Sequence, residues 1–427
     1  MLPGAPFLAR REDGELQLEG HLLGDLARRF GSPLFVYSRA AMLAALDAYQ
    51  RALQGRRHLI CYAMKANSNL AVLQTFARAG CGFDIVSGGE LQRVLAAGGE
   101  ASRIVFSGVG KTRAEMRQAL LAGVRCFNVE SVGELHELSA LALALGRRAP
   151  VSLRVNPDVD AGTHPYISTG LKNNKFGIAH DAALAAYRLA ASLPGITVRG
   201  IDCHIGSQIT QIEPYLDAID RVLDLVEAVE AAGITIAHVD IGGGLGISYT
   251  GEEPPRADEL VQRVLERFDA RGHGGRELLL EPGRSLVGNA GALLTEVLYL
   301  KPGRIEEGGK NFCIVDAAMN DLVRPAMYNA WMAIEPCRQR DEPCATWDIV
   351  GPVCESGDWL GRDRALALQP GDILAVLSAG AYAMAMSSNY NTRPRAAEVL
   401  LDGERVHLVR RREEVTELFA GELLIEP

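Results

Sequence analysis

The sequence predicts an α/β protein: a (β/α)8 barrel followed by an all-β C-terminal domain. Three observations predict it. Eight short apolar runs lie between residues 58 and 284, each followed by a polar or glycine-rich step and an amphipathic stretch. Helix-start signatures open three of those stretches. Beyond about residue 290 the pattern changes to strand-like runs separated by turn signals.

The eight runs are His58–Ala63, Gly82–Val86, Ile104–Phe106, Cys126–Val129, Val151–Val155, Val198–His204, Ala237–Ile241 and Glu277–Leu280. They are continuous rather than alternating, as strands of a parallel sheet covered on both faces must be. The helix starts are Ser87-Gly-Gly-Glu90, Thr112-Arg-Ala-Glu115 and Ser131-Val-Gly-Glu134. Each has the form of a capping box, in which hydroxyl and carboxylate satisfy each other's orphan backbone N–H groups. Leu91, Val94 and Leu95 follow the first at helical spacing.

The second domain is read from Leu293–Leu300, Phe312–Asp316, Asp348–Val353, Ile373–Ser378, Ala396–Leu401 and Arg405–Val409. Pro302-Gly303, Gly308-Gly309 and Pro370-Gly371-Asp372 are turn signals, and Asp402-Gly403 is a two-residue hairpin signal. The expected division is an N-terminal segment 1–32 packing with the β-domain, with Glu15–Leu18 as a candidate strand, a barrel over 33–285 and a β-domain over 286–427.

Bulk properties narrow the function. A chain of 427 residues with 48% hydrophobic residues can build more than one core. The net charge of −9 gives no attraction to phosphate backbones, so nucleic acid is not an expected partner. No run reaches the roughly 18 apolar residues of a membrane span. Met1-Leu-Pro-Gly-Ala-Pro-Phe-Leu8 has no basic start and no long apolar stretch, so a cytoplasmic location is expected. The 8 cysteines are scattered with no Cys-x-x-Cys pair, which fits a reducing compartment and predicts no metal site.

In a barrel of this kind, chemistry sits where the strands end. After the first run comes Tyr62-Ala-Met-Lys65-Ala-Asn67. A buried lysine loses basicity and becomes an amine able to form a Schiff base; a solvated loop lysine is the plain alternative. After the sixth comes Asp202-Cys-His204-Ile-Gly-Ser207, where His204 is a base, a stacking ring or a hydrogen-bonded structural residue. After the seventh comes Gly242-Gly-Gly-Leu-Gly246, a phosphate cradle of exposed backbone N–H groups or a tight turn. After the eighth, Glu281-Pro-Gly-Arg284 sets an acid and an arginine about a rigid turn. A surface ion pair is the plain alternative. Together these supply what pyridoxal 5′-phosphate (PLP) needs: an amine for its aldehyde, a ring platform, a phosphate site and an acid for the pyridine nitrogen. An acid at that nitrogen makes the ring a strong electron sink, which suits loss of CO2 better than racemisation.

These four motifs resemble those of the alanine-racemase-fold PLP decarboxylases, which act on ornithine, arginine or diaminopimelate. The resemblance covers nearly the whole chain. It is closest to the diaminopimelate branch through His164-Pro-Tyr-Ile-Ser-Thr-Gly-Leu-Lys-Asn-Asn-Lys-Phe-Gly177, Arg324-Pro-Ala-Met-Tyr328, Gly351-Pro-Val-Cys354-Glu355-Ser-Gly-Asp358 and Gly380-Ala-Tyr382. Ala383 stands where glycine is common.

The resemblance implies that Lys65 binds PLP and that His204 stacks on the ring. Gly242, Gly243 and Gly244, with Ser207 and the Pro282-Gly283-Arg284 turn, would hold the phosphate, and Glu281 would face the pyridine nitrogen. Tyr382 would lie near phosphate and substrate. Arg284, Arg324 and Tyr328 would bind substrate carboxylate, Glu355 the far amino group, and Cys354 would return a proton. It also implies a homodimer in which Cys354 and Glu355 serve the partner's site. The implied reaction is decarboxylation of meso-2,6-diaminopimelate at its D centre to L-lysine and CO2, with another diamino or modified amino acid as the alternative substrate. Arginine clamps a carboxylate and glutamate takes an ammonium, so Arg324 with Glu355 suits a substrate that keeps both groups at its far end. A PLP carrier without turnover is the reading from another class, and the long β-domain argues against it.

Overall fold

The computed structural model describes residues 7–160, 174–304, 306 and 308–425. The first ten residues of the His164–Gly177 motif fall outside them. The chain forms two compact units. One comprises Leu43–Ile247 and Glu253–Ser285; the other comprises Met1–Met42, Ser248–Glu252 and Leu286–Pro427.

The first unit is a closed barrel. Its eight parallel strands are β1 (His58–Ala63), β2 (Gly82–Ile85), β3 (Ile104–Phe106), β4 (Cys126–Val129), β5 (Ala149–Asn156), β6 (Ile196–Asp202), β7 (His238–Asp240) and β8 (Glu277–Leu280). Each pairs with the next, and β8 closes on β1 through Leu278↔His58 and Leu280↔Ile60. Leu59, Cys61, Val105, Cys126 and Leu279 pack together as one buried cluster. Asp202 and Asp240 are register partners on β6 and β7, so their side chains leave the sheet on the same face.

The three expected helix starts all form. Ser87, Thr112 and Ser131 each accept the N–H of the glutamate three residues on. Only Thr112-Glu115 is the reciprocal box. Glu90 and Glu134 instead reach one residue further back, to the N–H groups of Val86 at 2.6 Å and Glu130 at 2.9 Å. Each cap is worth about 1 kcal/mol, and Glu90 and Glu134 also tie their helices to the ends of the preceding strands.

The second unit is built on a nine-stranded sheet. Its main path runs Trp359–Leu366, Ala345–Val350, Phe312–Val315, Gly291–Lys301, Leu34–Ser38, Ala397–Asp402, Arg405–Arg410. Ile373–Val376 pairs with both Gly291–Lys301 and Ile334–Pro336. Gly291–Lys301 is long enough at 11 residues to pair with Leu34–Ser38 and Ile373–Val376 along its first half and Phe312–Val315 along its second.

Two expectations need correction and one is refined. The barrel was expected from residue 33, but Leu34–Ser38 lies inside the second unit's sheet, and residues through Met42 group with it. The strand expected at Glu15–Leu18 forms within the second unit as Leu16–Leu18, although not in the large sheet. Leu16–Leu18 pairs with Leu8–Arg10 and His21–Leu22 in a separate three-stranded sheet, and Leu16 and Leu18 join the core with Leu34, Leu294 and Val399. The hairpin turn is Gly403-Glu404 rather than Asp402-Gly403, because Asp402 pairs with Arg405; Gly403 takes φ +59°, as the first position of a type II′ turn requires.

Candidate active site

The strand ends bring the expected barrel residues to one mouth. β1 ends at Ala63, whose N–H donates to the Pro282 carbonyl at 3.0 Å, tying the loops after β1 and β8 together. The one-turn 3₁₀ helix Met64–Ala66 then presents Lys65. Its ammonium pairs with Asp84 of β2, whose side chain is fully buried, while that of Lys65 stays 38% exposed. The amine is therefore held in place yet accessible.

Glu281 follows β8 and is 7% exposed. Asn128 Nδ2 of β4 donates to its Oε1 at 3.3 Å and also to Ser107 Oγ at 3.1 Å. Oxygens of Glu281, Asp202 and Asp240 all lie within 4.8 Å of one another. Burial raises all three carboxyls; the charges of Asp240, Asp84 and Asp202 raise Glu281 further, that of Asp240 raises Asp202, and that of Asp84 raises Asp240. Asp240 is pushed up to about 7, against the pull of the Gly242 N–H that it accepts at 2.9 Å. Asp202 is opposed by Arg154 of β5, whose guanidinium donates to Glu130 at 3.1 Å and lies 3.9 Å from Asp202. Oδ1 of Asp84, Oδ1 of Asp202 and Oδ2 of Asp240 are buried without a hydrogen-bond partner.

His204 follows β6. The Gly243 N–H donates to its Nδ1 at 3.1 Å. That nitrogen is an acceptor, so the ring proton sits on Nε2. Burial, with Arg154 and Lys65 nearby, holds the imidazole well below its ordinary pKa, so it is a neutral flat ring.

The glycines after β7 are there for want of space. A Cβ on Gly243 would lie 2.1 Å from the Glu281 carbonyl oxygen, and one on Gly244 2.3 Å from that of Gly206. Gly242 and Gly244 also adopt φ of +69° and +103°. Beside this loop Arg284, 4% exposed, donates to Ser207 Oγ at 3.0 Å.

The structure therefore joins Lys65, His204, Ser207, Gly242–Gly244 and Glu281–Arg284. A reachable amine, a neutral ring, a tight backbone cradle beside a buried guanidinium, and bare acidic oxygens beneath them fit PLP. They match its aldehyde, ring, phosphate and basic ring nitrogen in turn.

The remaining expected residues lie in the second unit. Arg324 opens the short helix Arg324–Tyr328 and is 7% exposed. Its guanidinium lies 5.3 Å from the Tyr249 ring and 5.7 Å from that of Tyr328. Cys354 and Glu355 are both exposed. Their loop is rigid: buried Asp358 accepts N–H groups from Val353 and Met319 at 2.7 Å each, and Asn391 Oδ1 accepts the Cys354 N–H at 2.9 Å. Tyr382 is half-buried at φ +54°. It follows Gly380, where a Cβ would meet the Val287 carbonyl oxygen at 1.8 Å.

Sequence reasoning gave no role to Asp84, Ser107, Asn128, Arg154, Asp202 or Asp240. The signal was present: Asp84 and Asp240 interrupt otherwise apolar strand runs, and charged residues are rarely buried without a purpose.

The family model for the pyridoxal-dependent decarboxylase pyridoxal-binding domain matches residues 39–288. Diaminopimelate decarboxylase of Pseudomonas aeruginosa is 60% identical over 97% of this chain and 98% of its own. Among solved structures, diaminopimelate decarboxylase of M. jannaschii in complex with L-lysine superposes with a TM-score of 0.94 at 37% identity, covering 99% of both chains. The Helicobacter pylori enzyme, also with L-lysine, gives 0.88 at 40% identity over 93% of this chain and 98% of its own. The motifs, the barrel and these likenesses agree: the chain belongs to the diaminopimelate decarboxylase family of pyridoxal-dependent decarboxylases.

Proposed function

We propose that this protein uses PLP to decarboxylate meso-2,6-diaminopimelate at its D centre, yielding L-lysine and CO2. The observation that carries the reading is the 60% identity to a diaminopimelate decarboxylase along almost the whole chain. The barrel-mouth constellation supports it.

PLP, when bound, supplies the electron sink that lets a carboxylate leave its carbon. In this reading the Lys65 amine would hold it at the mouth. The neutral His204 side chain would offer its ring a flat platform without adding charge. Gly242–Gly244, Ser207 and the Gly283–Arg284 backbone bind phosphate, with Tyr382 close by. Glu281 sets the charge at the ring nitrogen. Arg284, Arg324 and Tyr328 receive substrate carboxylates, and Glu355 takes the distal ammonium. Cys354 returns a proton to the carbon that has lost CO2.

Cys354 and Glu355 stand exposed on a braced loop, which supports a homodimer in which they act in the partner's site. Among the described residues no helix is long and apolar enough to cross a membrane, which is compatible with the cytoplasmic location we propose.

Purified protein supplied with PLP should release lysine from meso-diaminopimelate and not turn over ornithine, arginine or L-lysine. Turnover of another amino acid alone would retain the cofactor chemistry and overturn the substrate.

A further inference from the structure

We propose that Asp240 is a positioning residue for Glu281: the two facing carboxyls hold one proton between them, and Asp240 fixes a second negative charge beneath the ring nitrogen once that proton has passed to it. The proposal rests on the PLP reading above.

Asp240 is immobilised at one oxygen only. Its Oδ1 accepts the Gly242 N–H at 2.9 Å, while Oδ2 is buried with no hydrogen-bond partner. Glu281 is held by Asn128 at 3.3 Å, and its own N–H donates to the Gly242 carbonyl at 2.7 Å. One glycine thus braces both acids. Their oxygens, with those of Asp202, lie within 4.8 Å of one another. Two ionised carboxylates that close in a dry pocket repel strongly, so such a pair keeps a shared proton.

The surrounding charges leave the pair in that state. Asp84 on β2 and Asp202 on β6 add negative charge. Lys65 pairs with Asp84, and Arg154 on β5 is engaged by Glu130 with Asp202 nearby. His204 is neutral. Burial pushes Asp240 up to about 7, with Asp84 adding to the rise and the Gly242 N–H and Arg154 opposing it; burial pushes Glu281 well above the usual carboxylate range, with Asp240, Asp84 and Asp202 adding and Lys65 opposing.

A basic ring nitrogen placed there takes the proton. The carboxyl O–H bond breaks, an N–H bond forms, and the pair goes from one negative charge to two, facing one new cation. Glu281 alone would face that cation with one charge. The second charge holds the nitrogen protonated to higher pH.

Asp240→Asn keeps an acceptor for the Gly242 N–H and nearly the same volume, but carries no charge. With PLP labelled by nitrogen-15 in its ring, the wild-type nitrogen should stay protonated to higher pH than in the variant. The variant's titration midpoint should fall by about one unit or more, a tenfold weaker hold on the proton. Its kcat should fall with KM for diaminopimelate little changed. An unchanged midpoint would overturn the role of Asp240 while leaving the PLP reading standing. Wild-type protein that binds no PLP at Lys65 would overturn both.

Should the variant not fold, infrared spectra of cofactor-free wild type carry the test. A protonated-carboxyl band should persist up to about pH 7, the value for Asp240, and lose intensity in Glu281→Gln, any remainder belonging to Asp202. Absence of that band overturns the shared proton.

Discussion

Gly243→Ala tests whether the glycine loop is there for close approach. The new methyl carbon would start 2.1 Å from the Glu281 carbonyl oxygen, whereas real Cβ contacts do not fall below 3.0 Å, so loop and strand end must part by at least 3.0 − 2.1 = 0.9 Å. That displacement is shared by His204, bonded to the Gly243 N–H at 3.1 Å, and by Tyr215, whose hydroxyl donates to the Gly243 carbonyl at 3.1 Å. Overpacking of this size costs about 1–3 kcal/mol of stability. A misplacement near 1 Å costs on the order of 100-fold in rate. Urea unfolding, PLP titration by fluorescence, and lysine release should show a folded variant with weaker PLP binding and kcat down about 100-fold. Gly275→Ala, where a Cβ meets nothing within 4 Å, should behave as wild type. Wild-type PLP affinity and kcat in Gly243→Ala would refute the close-packing argument.

Cys354→Ala should keep the spectrum of bound PLP and lose most turnover; near-normal turnover would remove it as proton donor. Arg154→Met removes the cation between Glu130 and Asp202 and leaves buried acids uncompensated, which should cost about 3–5 kcal/mol in urea unfolding; a loss under about 1 kcal/mol would show that the pair is solvated. The raised Asp240 carboxyl makes stability pH-dependent. Its folded pKa of about 7 exceeds its unfolded value near 3.8, so its stabilising contribution is complete below about pH 4 and disappears as pH rises through about 7. Thermal melts of cofactor-free wild type against Asp240→Asn should diverge in that window, with the variant losing less on going from pH 5 to pH 8; parallel curves would contradict the raised carboxyl.

Much of the barrel was legible because strands buried on both faces must be apolar throughout. His58–Ala63, Ile104–Phe106, Cys126–Val129 and Glu277–Leu280 form strands with the boundaries their sequences suggest. Trp359–Leu366 was missed because it reads as charged: Arg362 and Asp363 are exposed on it, and no apolar run marks it. Leu34–Ser38 is wholly buried, but its partners Gly291–Lys301 and Ala397–Asp402 are far away in sequence, so its apolar run alone could not assign it to a sheet. The site was legible where motif residues follow strands, as at Lys65, His204 and Glu281. The supporting acids were not, since nothing in a linear sequence says that Asp202 and Asp240 are register partners facing Glu281.

The proposed reaction exchanges one carboxylate for one proton at the D centre. The direct measurement is meso-diaminopimelate turnover in heavy water, counting CO2, lysine and deuterium. Equal CO2 and lysine are expected, with a single deuterium on the lysine carbon bearing the side-chain amine. Deuterium entering recovered substrate without CO2 release would contradict it and show a carbon acid exchanging its proton instead of losing its carboxylate.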